Sequence, residues 1–248
     1  MATARTRVYF TADVHLGLKI GDPAEREARF VHFLKKIPRR STKALYLLGD
    51  IWDFWYEYRD VVPKEGMRVL AQLTDLVDSG VKVYFFEGNH DVWTYRFFEE
   101  LGMEKLTQPY FCELGGKTFC LGHGDGLGGS TKGYRLMMAV FRSKVAQWLF
   151  SLLHPYLAFR IAGWWSLGNR KSHKPYTFRN EEEPIYRFAA AAEQERHVDC
   201  FVFGHYHKDI RLKTPGGADF IILDTWLKGG EPYFIFEEPA PQSQGSLF

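Results

Sequence analysis

Five short clusters in this sequence carry side chains that bind cations and move protons. They are Asp13-Val14-His15, Gly49-Asp50-Ile51-Trp52-Asp53, Gly88-Asn89-His90-Asp91, Gly122-His123-Gly124-Asp125 and Gly204-His205-Tyr206-His207. Five of the nine histidines lie in them. Read as extended chain, Asp13-x-His15 and His205-x-His207 each put both side chains on one side, so either pair can grip one ion. A glycine opens four of the five clusters, which permits tight turns and close backbone approach. A single Gly-Asp is usually just a turn. Five clusters at successive strand ends are different, because gathering so many costly polar groups at one edge requires a compensating ion.

The donors are imidazole, carboxylate and one amide oxygen, without thiolate. That set favours Mn, Fe(II), Zn or Co, and the imidazoles argue against Mg or Ca alone. Seven donors suit two divalent ions better than one. A carboxylate can bridge two ions. Two ions roughly 3.5–4 Å apart clamp an in-line displacement at phosphorus and bring the pKa of a bridging water toward neutrality. His90 is the candidate catalytic group, contacting the attacked phosphate or protonating the leaving oxygen, a role worth about 10²–10⁴-fold. Asp91 is expected to orient the His90 imidazole, with turn-capping as its alternative role. Asp53 and Asp125 read as supports for ligands or as turn caps.

Positioning such tips requires strands that end together. Apolar runs at 7–15, 44–53, 81–87, 117–125, 200–207, 220–226 and 232–238 read as strands. Helical spacing appears over 30–37, 67–80 and 185–197. Continuous apolar strands separated by helices indicate an α/β architecture with covered sheets. Open α/β sheets bind ligands beyond the carboxyl ends of their strands, where the clusters fall. The 248 residues, 46% hydrophobic and 17% aromatic, are enough for one large core with an insertion and no disulfides. Cys112, Cys120 and Cys200 lack CxxC spacing and read as core residues. MATARTRVYF runs straight into a strand without an apolar signal block, which predicts a cytoplasmic protein.

Between Leu127 and Asn180 lie nine Lys/Arg, no Asp or Glu and ten aromatics, so the remainder carries about −7 of the formal +2. Tyr134, Met138, Phe141, Val145, Trp148, Leu149 and Leu152 recur at helical spacing, and 156–173 adds a second stretch. One reading is a helical cap burying this stripe on the sheet. The other is a lid whose apolar wall takes acyl chains and whose cations face phosphates and an anionic membrane. Val145–Phe159 contains Pro155 and falls short of the roughly 20 residues of a membrane span. Nucleic acid also binds basic aromatic surfaces but needs no acyl pocket.

The order DxH, GDxxD, GNHD, GH, GHxH across residues 13–207 resembles the calcineurin-like metallophosphoesterase superfamily. The resemblance implies two mixed β-sheets sandwiched between helices, with a helical lid insertion. It implies one ion on Asp13, His15, Asp50 and His207 and a second on Asp50, Asn89, His123 and His205, with Asp50 bridging. LLGDIWDFW (47–55), HGDGLGGSTKGY (123–134), the aromatic insertion before GHYH and ILDTW (222–226) look like the UDP-2,3-diacylglucosamine pyrophosphatases of lipid A synthesis. Their likeness implies metal-bound hydroxide attack on the α-phosphorus, releasing UMP and 2,3-diacylglucosamine 1-phosphate. It also implies two divalent ions with Mn(II) foremost, a lipid-linked nucleotide sugar as substrate rather than nucleic acid, and a peripheral place on the cytoplasmic face of the inner membrane. Asn89, His90 and Tyr134 are the implied substrate contacts, and Arg170 and Lys171 are candidates for the diphosphate. Three positions depart from that family's best-known branch. His90 replaces an Arg, Gly129-Ser130-Thr131 lacks an acidic residue, and Asp224-Thr225-Trp226 replaces Gly-Asp-Trp. The boundaries expected are a core of 1–126 and 181–239, a lid of 127–180 and a tail of 240–248. The competing readings are a soluble metal-dependent phosphodiesterase or nuclease on the same fold, and a metal-free binding scaffold.

Overall fold

A computed structural model describes residues 5–172 and 176–239, with backbone alone for 167 and 169–172. The elements run β1 (Arg7–Thr11), α1 (Pro23–Lys36), β2 (Thr42–Leu47), α2 (Met67–Asp78), β3 (Lys82–Phe86), α3 (Phe97–Glu100), β4 (Glu104–Leu106), β5 (Tyr110–Leu114) and β6 (Lys117–Leu121). They continue with α4 (Lys132–Arg142), α5 (Lys144–Ser151), α6 (Pro155–Ser172), α7 (Pro184–Glu195), β7 (Cys200–Phe203), β8 (Ile210–Lys213), β9 (Asp219–Ile222) and β10 (Tyr233–Glu237).

The strands form two five-stranded sheets, ordered β10-β1-β2-β3-β4 and β5-β6-β7-β9-β8. The runs β1-β2-β3-β4 and β6-β7-β9 are parallel, while β10, β5 and β8 join antiparallel, so both sheets are mixed. Strand alternation sorts the core into layers. Val8, Phe10, Tyr46 and Phe86 of one sheet meet Phe119, Leu121, Val202 and Ile221 of the other. Tyr9, Leu45, Val83 and Phe85 face the opposite way, onto Phe30 and Phe33 of α1 and Val69 and Leu73 of α2. Phe201, Phe203 and Phe220 pack on Ile185 and Ala189 of α7. The parallel strands β1, β2, β3, β6, β7 and β9 are thus covered on both faces, which is why their sequences read as apolar runs.

Local signals set the helix ends. The Asp22 side chain accepts from Ala24 N and Glu25 N ahead of α1, and Pro23 sits where no intrahelical donor is needed. The stripe from Tyr134 to Leu152 is broken rather than continuous. Ser143 ends α4 and caps α5, accepting from Ala146 N. The short strands β4, β5 and β8 and the single-turn α3 went unread in the sequence, being three to five residues each. Strands β1, β2, β3, β6 and β7 stop two or three residues before the first donor of each cluster, sooner than the apolar runs imply.

Candidate metal centre

All five clusters follow the carboxyl ends of parallel strands, three from one sheet and two from the other, so the sandwich delivers them to one edge. Extended alternation does not pair the donors, contrary to the expectation for Asp13-x-His15 and His205-x-His207. Asp13, His15, Asp50, His205 and His207 have left-handed backbones, with φ of 54°, 50°, 53°, 72° and 53°. Among the described non-glycine residues only Asn180 shares that conformation. Each such residue costs about 1–3 kcal/mol and persists only where its surroundings over-determine it. The loops supply that restraint by bonding one another. Asp13 N donates to Gly49 O (3.1 Å), His15 N to Asp50 O (3.0 Å) and Asp53 N to Leu16 O (3.0 Å). Close approach also explains two glycines. A Cβ on Gly49 would lie 2.8 Å from the His123 ring, and one on Gly204 2.6 Å from Asp13 Oδ2.

Backbone donors aim the carboxylates. Asp13 Oδ2 accepts from His205 N (2.8 Å), leaving Oδ1 at 3.1 Å from His207 Nε2. Asp50 Oδ1 accepts from His90 N (2.9 Å), leaving Oδ2 between His123 Nε2 (3.4 Å) and His15 Nε2 (3.8 Å). Asp50 Oδ2 thus faces imidazoles from two different clusters. Asn89 Oδ1 lies 3.3 Å from His123 Nε2, and the His205 ring centroid is 5.1 Å from that of His123.

The imidazoles are oriented through their other nitrogen. His123 Nδ1 contacts Leu48 O (2.9 Å), and His15 Nδ1 faces Asp53 Oδ1 (3.4 Å). Placing the proton on Nδ1 leaves the Nε2 lone pairs directed at the centre, the state a cation requires. Burial holds His15 down at about 4. Burial and the neighbouring His123 do the same to His205, also at about 4. Both are neutral at pH 7. Burial opposes ionisation of Asp13, but the His207 imidazole outweighs it and holds the carboxyl below its usual range. At Asp50 burial is likewise outweighed by His123 and His90. At Asp53 it is outweighed by His15, which leaves that carboxyl at about 2.

The result is a buried pocket rich in carboxylate charge and lone pairs. His15 Nε2 and His207 Nε2 stand 3.0 Å apart, a hydrogen bond when one nitrogen carries a proton and a repulsive contact when neither does, which a shared cation would relieve. Donor atoms lie within 4.8 Å of one another in three groups, Asp13-His15-His207, Asp13-Asp50-His123 and His15-Asp53-His90. The nitrogen and oxygen donors fit divalent transition ions.

The expected partner of His90 is corrected. Asp91 is fully buried and accepts from Gly88 N (2.8 Å), Ile51 N (2.9 Å), Asp50 N (3.2 Å) and Trp52 N (3.3 Å). It clamps the Asp50 loop, and burial with the nearby Asp50 charge pushes its pKa up to about 8. The residue that orients His90 is Asp53. Its main-chain oxygen lies 3.0 Å from His90 Nδ1 and its carboxylate 3.5 Å. The GDxxD spacing exposed Asp53 as a support, but no local signal tied it to two imidazoles at once. Tyr134 is directed inward, its hydroxyl donating to Asp125 Oδ2, while Gln108 Nε2 holds the other oxygen at 2.7 Å. Gln108 escaped the sequence reading because it precedes its own strand and belongs to no cluster. The side chains of Arg170 and Lys171 lie outside the described residues.

The model of the calcineurin-like phosphoesterase family matches residues 6–209. The chain is 36% identical over 242 residues to the UDP-2,3-diacylglucosamine hydrolase of Porphyromonas gingivalis, covering 90% of this chain and 92% of that one. It is 33% identical over 233 residues to the protein of the same name from an Enterobacter species, covering 92% and 95%. Among solved structures, a dimetal phosphatase from Danio rerio aligns with a TM-score of 0.47 at 15% identity, over 94% of this chain and 92% of that one. With a match running from β1 to the last of five donor clusters, this chain belongs to the calcineurin-like phosphoesterase family.

Proposed function

We propose that the protein cleaves the pyrophosphate of UDP-2,3-diacylglucosamine at the α-phosphorus, giving UMP and 2,3-diacylglucosamine 1-phosphate. One observation carries the choice of substrate: an apolar cavity opens against the metal centre. The cavity, about 740 Å³, is lined by Leu16, Leu18, Phe54, Val62, Phe159 and Trp164, with Lys19, Lys64, Arg160 and Glu65 among them, and shares Asp53 with the metal centre. That volume lies within the roughly 300–1,000 Å³ of small-molecule sites. Hydrolysis of a water-soluble diester does not call for such a chamber. The relatives' printed names point to the same substrate.

In this reading Asp13, His15, Asp50 and His207 hold one ion, and Asp50, Asn89, His123 and His205 the other, with Mn(II) foremost. When bound, the two divalent ions activate water and draw charge from the phosphoryl oxygens. His90 sits beside them, its ring centroid 5.1 Å from that of His15. With Nδ1 facing Asp53 O, its Nε2 is turned to the reacting group. Protonated, His90 donates to a phosphoryl or leaving oxygen, and the Asp53 carboxylate stabilises its charge. Asp91 keeps the Asp50 loop in shape, and Asp125 with Tyr134 joins α4 to the His123 loop. Arg170 and Lys171 remain candidates for the diphosphate.

The segment 127–180 serves as the lid. Among the described residues no helix is long and apolar enough to cross a membrane. Yet Leu136, Val145, Trp148, Leu152 and Trp164 are 61–78% exposed on it. An apolar surface of that extent, in a segment with nine Lys/Arg and no Asp or Glu, fits an anionic lipid face. We therefore place the enzyme peripherally on the cytoplasmic face of the inner membrane. The deciding assay compares UDP-2,3-diacylglucosamine with UDP-glucosamine in the presence of Mn(II), with products identified by mass. Release of UMP and the lipid phosphate from the acylated compound alone is expected. Equal turnover of the deacylated compound would favour a soluble phosphodiesterase.

A further inference from the structure

The Asp224-Thr225-Trp226 departure has a structural role that the proposed chemistry does not use. The Thr225 hydroxyl donates to Asp13 O (2.8 Å), and Trp226 N donates to the same oxygen (3.1 Å). Trp226 Nε1 donates to Thr11 Oγ1 (2.9 Å), just upstream. Lys228 Nζ donates to His207 O (2.7 Å). Asp224 Oδ1 accepts from Lys228 Nζ and Thr225 N, both at 2.8 Å, which holds the ammonium in place and offsets its charge.

The two carbonyls gripped belong to residues with left-handed backbones, Asp13 at 54° and His207 at 53°. A non-glycine residue relaxes from that region unless its peptide groups are tied down. Both acceptor positions of Asp13 O are taken by this segment. The segment itself is anchored in the core. Trp226 is fully buried against Phe30 (centroids 4.9 Å apart) and Phe33 (5.5 Å) of α1, and Arg29 Nη2 donates to its carbonyl (2.7 Å). His123, by contrast, is fixed through Leu48 O, to which residues 224–228 donate no hydrogen bond among the described residues.

We propose that Thr225 and Lys228 are positioning residues for one of the two ions, the one assigned to Asp13, His15, Asp50 and His207. Together with the Asp50 loop, they hold Asp13 and His207 in the backbone state seen here. The affinity of that ion therefore depends on the 224–228 segment directly, whereas the other ion is reached only through the shared Asp50 and the hydrogen bond from His205 N to Asp13 Oδ2. This inference rests on the two-ion reading above.

The test is equilibrium dialysis of metal-stripped full-length protein against Mn(II), with bound metal counted. Wild type is compared with Thr225→Val, Thr225→Ser and Lys228→Met. Wild type should bind two ions. Thr225→Val should weaken one of them by about 10–100-fold, the usual effect of losing a group that orients a ligand, and the other by clearly less. Thr225→Ser, which keeps the hydroxyl, should restore wild-type binding. Lys228→Met should weaken the same ion to a smaller degree. Lys228 is half exposed, its side chain 52% accessible, so that variant decides the matter if Thr225→Val fails to fold. Wild-type affinity at both sites in Lys228→Met and Thr225→Val would overturn the inference. So would equal weakening of both ions without rescue by Ser, since that marks general loosening. Fewer than two ions on wild type would overturn the two-ion reading itself, and this inference with it.

Discussion

In the sandwich, Phe10, Phe85, Phe119, Phe201 and Phe203 are no more than 1% exposed, whereas α5 buries none of its eight residues. Over the whole helical segment the buried apolar side chains are Met138, Ala158 and Ala162, among the described residues. That segment nevertheless carries ten aromatic residues. It docks on the sandwich through a few contacts. Phe150 meets Phe54, Tyr56 and Trp93, and Phe141 meets Trp93. Trp93 Nε1 donates to Phe141 O (2.6 Å), and Tyr56 Oη donates to Gln147 O (2.8 Å). The expectation of a cap burying its whole stripe on the sheet is therefore not met. Apolar residues in the sandwich stabilise the fold by leaving water. The exposed ones on α4–α6, such as Leu136, Trp148 and Leu152, stay in water and add little to stability; the lipid face proposed above accounts for them.

This contrast separates variants that remove chemistry, variants that remove stability and variants that remove neither. Asp50→Asn alters the one carboxylate placed between both sets of donors, and chelation removes the ions directly. Each should reduce hydrolysis to background, with bound Mn(II) falling below two per chain by elemental analysis. Retention of full activity after exhaustive chelation would break the metal-centre half of the comparison. His90→Ala should lower turnover by about 10²–10⁴-fold with both ions still bound. Unchanged turnover would remove His90 from the mechanism. Phe119→Ala should cost about 3–5 kcal/mol in urea unfolding, since the ring lies between Phe10 and Phe236 with no solvent to fill the void. That is a large share of the roughly 5–15 kcal/mol by which domains are stable.

The donor clusters were legible because each pairs polar residues with the end of an apolar run, and both signals are local. The two-sheet division was carried by the family likeness. The runs themselves do not say which strand pairs with which. The backbone of the donors was misread. Alternation in Asp13-x-His15 assumes extended chain, and the left-handed state at 54° and 50° is imposed by the Asp50 loop from another strand. Asp91 takes the alternative, turn-capping role rather than the orienting one for a related reason. Its neighbour in sequence is His90, but its four donors include three from residues 50–52, a contact made only in the fold. The break at Ser143 was hidden because the apolar period continues across it, and a serine cap weighs little against seven spaced apolar residues.

The smallest stability effect should come from the most hydrophobic-looking substitution. Trp148 and Leu152 are 61% and 65% exposed, so their replacement opens no cavity. Exposed positions of this kind usually change stability by within about 0.5 kcal/mol each. Trp148→Glu with Leu152→Glu should therefore leave the unfolding midpoint close to wild type. Turnover of a short-chain, water-dispersed substrate should also persist, because neither residue lines the cavity. Binding to vesicles containing anionic phospholipid should fall, through lost apolar contact and through repulsion by the new carboxylates. Sedimentation with such vesicles, read beside a urea curve, distinguishes the outcomes. A large loss of stability would mean that the helical segment is held by the same burial as the sandwich. Unchanged vesicle binding would mean that its exposed face serves something other than lipid.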